Sequence, residues 1–270
     1  MKKKAKTLPT LIGVLILTVG VAAGLVLIER ESLFRLEAEL APAPKDVRIS
    51  NVSDTAATIS WITTRQTQGF IVWGQNSRDL KRTAINSIGP DSFVHAVNLE
   101  SLTPSSTYFI RINSGGEEYD NNGLAWTFTT GPKLINTPAS FIISGSLLTS
   151  SGAPAKEAIV YTTVGGSNLV STLTSDDGRW LIPISTARTQ DLSSYIDISD
   201  STLIEISVNA GSFGVSFAQI YPEAAKPAPS MFLGQTHNFK SIDPLKETAV
   251  PEASIDIPKP STPSSRFNFF

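Results

Sequence analysis

The strongest metal-ligand pattern in this chain of 270 residues is an acidic stretch with calcium-ligand spacing. Glu118, Asp120, Asn122 and Gly123 take the first, third, fifth and sixth positions of a calcium-binding loop. Such a loop needs a bidentate carboxylate at its twelfth position, where this sequence has Thr129. We also expect the stretch to join two strands rather than two helices. The pattern therefore favours a solvated hairpin turn over a calcium site.

The other groups that could perform catalysis are few and scattered. His95 and His237 are the only histidines, whereas a dinuclear metal centre needs several His and Asp ligands. His95 lies in register with apolar residues of a predicted strand, which indicates a packed side chain. Asp176 and Asp177 are adjacent, and Gly178 after them marks a tight turn. With no cysteine and no nucleophile motif, the sequence predicts no catalytic, cofactor-binding or metal site, and thus no enzyme.

The segment that decides where the protein works is the uncharged, apolar run 8–28. At roughly 1.5 Å per residue, a helix of that length spans about 30 Å, the thickness of the hydrocarbon core of a bilayer. The basic tail 1–7 precedes it and should remain in the cytoplasm. Small residues at 20–24 leave a second interpretation open, a cleavable signal peptide. Both interpretations export the rest of the chain, and we favour a single-pass anchor.

A juxtamembrane segment, 29–44, separates the anchor from the outer domains. Leu33, Phe34, Leu36 and Leu40 fall on one side of a predicted helix. An alternating Ala-Pro sequence then forms a stiff extended spacer. The helix either pairs with another helix or forms an interfacial extension of the anchor.

Charge and cysteine content limit the partners of the exported part. Four of the 22 Lys and Arg residues precede the apolar run, which leaves 18 against 24 Asp and Glu, a net charge of −6. That sign argues against nucleic acid. The absence of cysteine means that each outer domain depends on its own hydrophobic core. These features fit a bacterial or archaeal cell envelope, with the protein exposed at the cell surface.

The first outer domain, 45–131, shows period-two alternation with turn residues every eight to twelve positions, typical of an antiparallel β-sandwich. Leu102, Pro104 and Tyr108 have the spacing of a corner in which the tyrosine hydroxyl caps the preceding loop. Together with segments 57–61 and 126–130, this corner resembles a fibronectin type III domain. The stretch 95–104 is similar to the N-terminal sandwich of purple acid phosphatases. In that family the sandwich is non-catalytic, and the metal chemistry belongs to a following domain that no part of this sequence matches.

After a linker at 132–138, a second β-rich domain covers 139–240, and its last strand is expected over 231–239. Gly145, the turn 152–154 and the segment 174–180 resemble the carboxypeptidase regulatory-like, transthyretin-like sandwich, which implies an accessory module of exported proteins. The tail 241–270 is rich in Pro and Ser, predicting disorder, and its aromatic end is either a docking peptide or without a partner. The predicted fold class is therefore all-β, with two tandem antiparallel β-sandwiches behind one N-terminal transmembrane helix.

These features predict a membrane-anchored, externally facing protein that binds or presents to a protein or carbohydrate partner, with an unknown oligomeric state. The candidate contact loops are 65–69, 76–90 and 114–123 in the first domain. The alternative is a structural subunit of a cell-envelope assembly, such as a secretion or pilus complex. A third hypothesis is an accessory part of an envelope metallophosphatase or peptidase.

Overall fold

The computed structural model describes residues 42–89, 91–136 and 138–241. The predicted basic tail, membrane span, amphipathic helix and C-terminal tail therefore lie outside the described residues, apart from Ser241. Within the described ranges, no helix is both long enough and apolar enough to cross a bilayer.

The first sandwich contains eight strands in two antiparallel sheets. They are β1 (Lys45–Ser50), β2 (Ala57–Thr67), β3 (Gly69–Gly74), β4 (Arg82–Ile85), β5 (Ser92–Leu99), β6 (Thr107–Ser114), β7 (Glu117–Tyr119) and β8 (Trp126–Thr129). One sheet has the order β1-β2-β5, and the other has the order β4-β3-β6-β7 with β8 also paired to β6. The predicted antiparallel β-sandwich is confirmed for the first domain.

Between these two sheets lies a core of alternating apolar side chains. Ile59, Trp61 and Ile71 are fully buried within it. The predicted tyrosine corner forms, since the Thr103 N–H donates to the Tyr108 hydroxyl at 2.8 Å. The corner closes the loop between β5 and β6 and fixes the end of the sandwich.

The second sandwich also has eight strands. They are β9 (Ile142–Leu148), β10 (Ile159–Val164), β11 (Val170–Leu173), β12 (Arg179–Pro183), β13 (Ile204–Asn209), β14 (Val215–Ile220), β15 (Met231–Phe232) and β16 (Thr236–Asn238), with short 3₁₀ helices at Ile184–Thr186, Gly211–Phe213 and Pro222–Ala225. A five-stranded sheet with the order β11-β10-β13-β14-β16 faces a three-stranded sheet with the order β12-β9-β15. The pairs β14–β16 and β15–β9 are parallel, and the others are antiparallel.

Packing and backbone conformation in the second sandwich account for the choice of glycine at two positions. A Cβ on Gly145 would lie 2.5 Å from Cζ2 of the buried Trp180 indole, so only glycine permits this ring position. Gly178 adopts a φ of +75° in the turn before β12, a conformation that glycine adopts without steric cost.

Two expectations about local structure are wrong. The segment 65–69 is not a free loop, because β2 continues to Thr67 and β3 begins at Gly69. The single strand expected over 231–239 is two short strands, one in each sheet. Gly234 between them has a φ of +84°, which turns the chain from the three-stranded to the five-stranded sheet.

Candidate interaction surfaces

His95 lies in the first core and is fully buried. Its ring stacks on Trp61 at 4.8 Å between centroids. The Asn86 amide lies 3.3 Å from Nδ1, so Nε2 carries the proton and donates it to the Thr63 hydroxyl at 3.2 Å. Burial lowers the pKa of His95 to about 4. The ring is therefore neutral at physiological pH and belongs to the packing of the first sandwich.

In the loop with calcium-ligand spacing, 118–123, the acidic side chains contact neighbouring residues of the same hairpin. The Asp120 carboxylate accepts from the Gly123 N–H at 2.7 Å, and Glu118 pairs with Arg111 at 3.0 Å. Thr129 lies in β8 and hydrogen-bonds to a neighbouring strand. Across the described ranges, no three metal-ligating side chains converge. The loop has the hydrogen bonding of a hairpin turn.

The remaining candidate residues also have local roles. The Asp177 carboxylate accepts from the Ser175 hydroxyl at 2.6 Å, and this bond holds the pKa of Asp177 below its usual value. His237 lies in the second sandwich, where its Nε2 accepts from the Phe232 N–H at 3.1 Å. It is stacked on Phe239 at 5.1 Å. The two histidines therefore lie in different sandwiches, and Asp177 is engaged within its own turn.

The main feature that sequence reasoning missed is direct packing between the two sandwiches. The outer face of the β1-β2-β5 sheet contacts the outer face of the five-stranded sheet through one apolar cluster. That cluster comprises Ile62, Val94, Ala96, Ile159 and Tyr161, with Ile88, Leu169 and Leu173 packed against it. Each of these two sheets is therefore covered by the other over part of its outer face.

Polar groups inside this interdomain interface are paired across it. The hydroxyls of Ser60 and Tyr161 lie 2.7 Å apart, and burial raises the pKa of Tyr161 to about 12. The Asn51 side chain accepts from the Ser171 N–H at 2.8 Å and donates to the Ser171 carbonyl at 3.0 Å. The Asn51 N–H also donates to the Leu169 carbonyl at 2.8 Å. Such pairing removes most of the cost of burying these groups.

Arg188 connects three parts of the chain at the edge of the interface. Its side chain is 3% exposed and pairs with Asp54 of the first sandwich at 2.7 Å. Its other terminal nitrogen donates to the Pro132 carbonyl in the linker at 2.8 Å. A Cβ on Gly131 would lie 2.5 Å from the same guanidinium. The linker is thus fixed against both sandwiches at its beginning and is not a free spacer there.

An open groove crosses the outer face of the three-stranded sheet and has a volume of about 1230 Å³. Its walls combine hydroxyls, charges and aromatic rings, including Ser144, Ser146, Arg179, Trp180, Glu223, Lys226, Ser230 and Phe232. The segment after the third 3₁₀ helix forms one wall, because the Ala228 N–H donates to the Ser144 carbonyl at 2.7 Å. This groove offers donors, acceptors and apolar surface to a polar partner.

The two remaining predicted contact loops contain short strands. Segment 76–90 includes β4, and segment 114–123 includes β7. β4 lies at one edge of its sheet, and Ile85 at its end is 77% exposed. An exposed edge of this kind can accept a partner strand.

The match to a known protein family lies within the first sandwich. Residues 44–130 match the family of the N-terminal domain of purple acid phosphatase. No curated protein sequence matches the chain. Because the family match covers about a third of the chain, it identifies a domain and not the whole protein.

Solved structures with a similar fold include fibronectin type III domains. The domain from the human KIAA0970 protein is 13% identical, with 40% of this chain and 87% of that chain covered and a TM-score of 0.27. The FN1-FN3 domains of chicken CNTN1 are 16% identical, with coverages of 70% and 66% and a TM-score of 0.25. The sensor domain of the anti-sigma factor RsgI4 in Pseudobacteroides cellulosolvens is 15% identical, with coverages of 35% and 99% and a TM-score of 0.27. These scores are too low to support a functional argument.

Proposed function

We propose that this protein is a membrane-anchored, externally facing, non-catalytic protein that presents its two sandwiches to a partner as one rigid body. The observation that carries the proposal is the interdomain interface, where an apolar cluster, paired hydroxyls and the Arg188–Asp54 ion pair fix one sandwich on the other. Independent modules are normally joined by exposed, flexible linkers with few contacts across them. A fixed pair instead holds its exposed surfaces at a constant separation and orientation.

The groove on the second sandwich is our candidate partner surface. Arg179 and Lys226 supply positive charge, Glu223 supplies negative charge, and serine hydroxyls lie between them. This mixture fits a protein or carbohydrate partner better than a purely apolar ligand. We assign the second sandwich to the carboxypeptidase regulatory-like, transthyretin-like type, whose accessory role agrees with a binding function.

The alternative function is a structural subunit of an envelope assembly, and the exposed β4 edge favours it. A strand from another subunit could extend the sheet beyond β4 through main-chain hydrogen bonds. The third hypothesis, an accessory part of an envelope hydrolase, draws only on the name of the matched phosphatase family. A lack of phosphatase and peptidase activity in the purified protein would argue against it.

Single-cysteine labelling in intact cells tests the topology, because the natural chain has no cysteine. We expect a membrane-impermeant maleimide to label the Ser264→Cys variant and to leave the matched Lys3→Cys variant unlabelled until the cells are opened. A crosslinker attached at position 264 then identifies neighbours. Capture of one discrete envelope protein would favour the assembly subunit, whereas no stable neighbour would favour an outward-facing adhesin. No labelling at position 264 in intact cells would contradict the proposed topology.

A further inference from the structure

An exposed apolar stripe lies on the outer face of the five-stranded sheet, beside the part covered by the first sandwich. Phe213, Val215 and Phe217 form this apolar stripe and are 70%, 44% and 50% exposed. Phe93 of the first sandwich contacts one end of it, edge to face with Phe213 at 6.0 Å. A solvated sheet face normally carries polar residues at such positions. A group of exposed apolar residues of this kind indicates a contact surface.

Polar residues border the apolar stripe on both sides. Ser207 and Asn209 are the cross-strand partners of Phe217 and Val215 on β13. Thr236 is the partner of Phe217 on β16. An apolar centre with a polar rim is the composition of a protein interface.

The described chain begins at Pro42 and contacts the strand next to the stripe four residues later, at Asp46. The Pro42 carbonyl accepts from the Ser114 hydroxyl at 2.6 Å, which fixes the point where the N-terminal segment joins the sandwich. Four residues later, the Asp46 carboxylate accepts from the Asn209 side chain at 3.1 Å. Asn209 is the direct neighbour of Val215 across the sheet. The residues just before Pro42 therefore reach the stripe without a long connection.

We propose that segment 33–40 of this chain docks on the apolar stripe. Leu33, Leu36 and Leu40 have helical spacing and, at about 1.5 Å per residue, extend over about 10 Å. Val215 and Phe217 lie two positions apart on β14, roughly 7 Å at the rise of a β-strand, and Phe213 of the preceding 3₁₀ helix lengthens the stripe. The two apolar surfaces are similar in length, and segment 33–40 ends two positions before Pro42 in the sequence.

Other occupants fit less well. The segment 29–40 carries four Glu and two Arg, whereas helices that lie on membrane surfaces are rich in Lys and Arg. The aromatic residues at the end of the tail, beginning at Phe267, are about 25 residues beyond Ser241, and closing that longer loop costs more entropy. The proposal goes beyond the proposed function and does not depend on the membrane anchor.

Crosslinking of paired cysteines in the purified full-length protein tests this contact. We expect a short bis-maleimide to join Leu36→Cys and Phe217→Cys within one chain. The matched control joins Leu36→Cys with Leu181→Cys, an exposed leucine on the three-stranded sheet, and should remain unlinked. Equal linking of both pairs would overturn the proposal, as would dimers formed by Phe217→Cys alone. Preferential linking of Phe269→Cys to Phe217→Cys would overturn it in favour of the tail.

A second measurement does not rely on a crosslinker. We expect the maleimide reactivity of Phe217→Cys to rise about tenfold when Leu33, Leu36 and Leu40 are all replaced by Ser, which corresponds to about 1.4 kcal/mol of docking free energy. The reactivity of Leu181→Cys should be the same in both backgrounds. Unchanged reactivity at position 217 would contradict docking of this segment. Added lipid vesicles that protect position 217 in both backgrounds would overturn it in favour of a bilayer contact.

Discussion

Replacement of Arg188 by Ala should weaken the connection between the two sandwiches. The variant loses the ion pair with Asp54 at 2.7 Å and the hydrogen bond to the Pro132 carbonyl at 2.8 Å. It also leaves the Asp54 carboxylate without its partner at the edge of the interface. The effect should therefore exceed that of a typical surface substitution.

The magnitude follows from the burial of the two partners. Removing one member of a fully buried ion pair costs roughly 3–5 kcal/mol. Arg188 is 3% exposed, but Asp54 is 22% exposed and keeps some contact with water. We therefore expect a loss of about 3 kcal/mol in the free energy of unfolding, at the lower end of that range. For a folded unit of this size, each kcal/mol lowers Tm by about 2–4 °C, so the expected decrease is about 6–12 °C.

Thermal unfolding of the purified full-length protein, followed by circular dichroism, measures this effect. The matched control is Arg179→Ala, since Arg179 also pairs with an aspartate but is 80% exposed. The control should change the free energy of unfolding by less than about 0.5 kcal/mol. Equal decreases in Tm for the two variants would refute the argument that Arg188 acts as an interdomain connection.

Three further predictions concern the sandwich cores. Folding favours the neutral form of His95, so the stability that this residue contributes is complete above pH 6.5 and is lost as the pH falls towards 4. Urea unfolding at both pH values should show this loss as about 3 kcal/mol in the free energy of unfolding, and the loss should be absent in His95→Gln. Gly145→Ala places a methyl group against the Trp180 ring and should cost about 1–3 kcal/mol in the same assay; an unchanged midpoint would count against this packing. Tyr108→Phe removes the acceptor for the Thr103 N–H and should cost about 1 kcal/mol, with faster amide hydrogen exchange at Thr103; unchanged exchange would exclude that bond.

Local spacing was sufficient to predict much of each sandwich. The Tyr108 corner depends on residues within a few positions of one another, and the turn at Asp177 depends on the glycine that follows it. The end of the second sandwich was harder to predict from the sequence. Its last segment has the pattern of one strand, but Gly234 divides it between two sheets. No period-two pattern shows which sheet a short strand joins.

The interface between the sandwiches could not be located from the sequence because its partners are far apart in the chain. Ser60 and Tyr161 are separated by 101 positions. One signal was present, since residues 57–63 of β2 are small, apolar or hydroxyl-bearing at every position and are all buried. A strand covered on both faces has this composition. The groove also depends on a non-local contact, in which the Ala228 N–H donates to the Ser144 carbonyl.

The distance between the two sandwiches tests the proposed rigid body most directly. Spin labels at Leu124→Cys in the first sandwich and Leu181→Cys in the second occupy side chains that are 71% and 54% exposed, and the natural chain has no cysteine to interfere. Pulsed electron paramagnetic resonance should give one narrow distance distribution in the full-length protein. A broad or multiple distribution would contradict the account, because the sandwiches would then move independently.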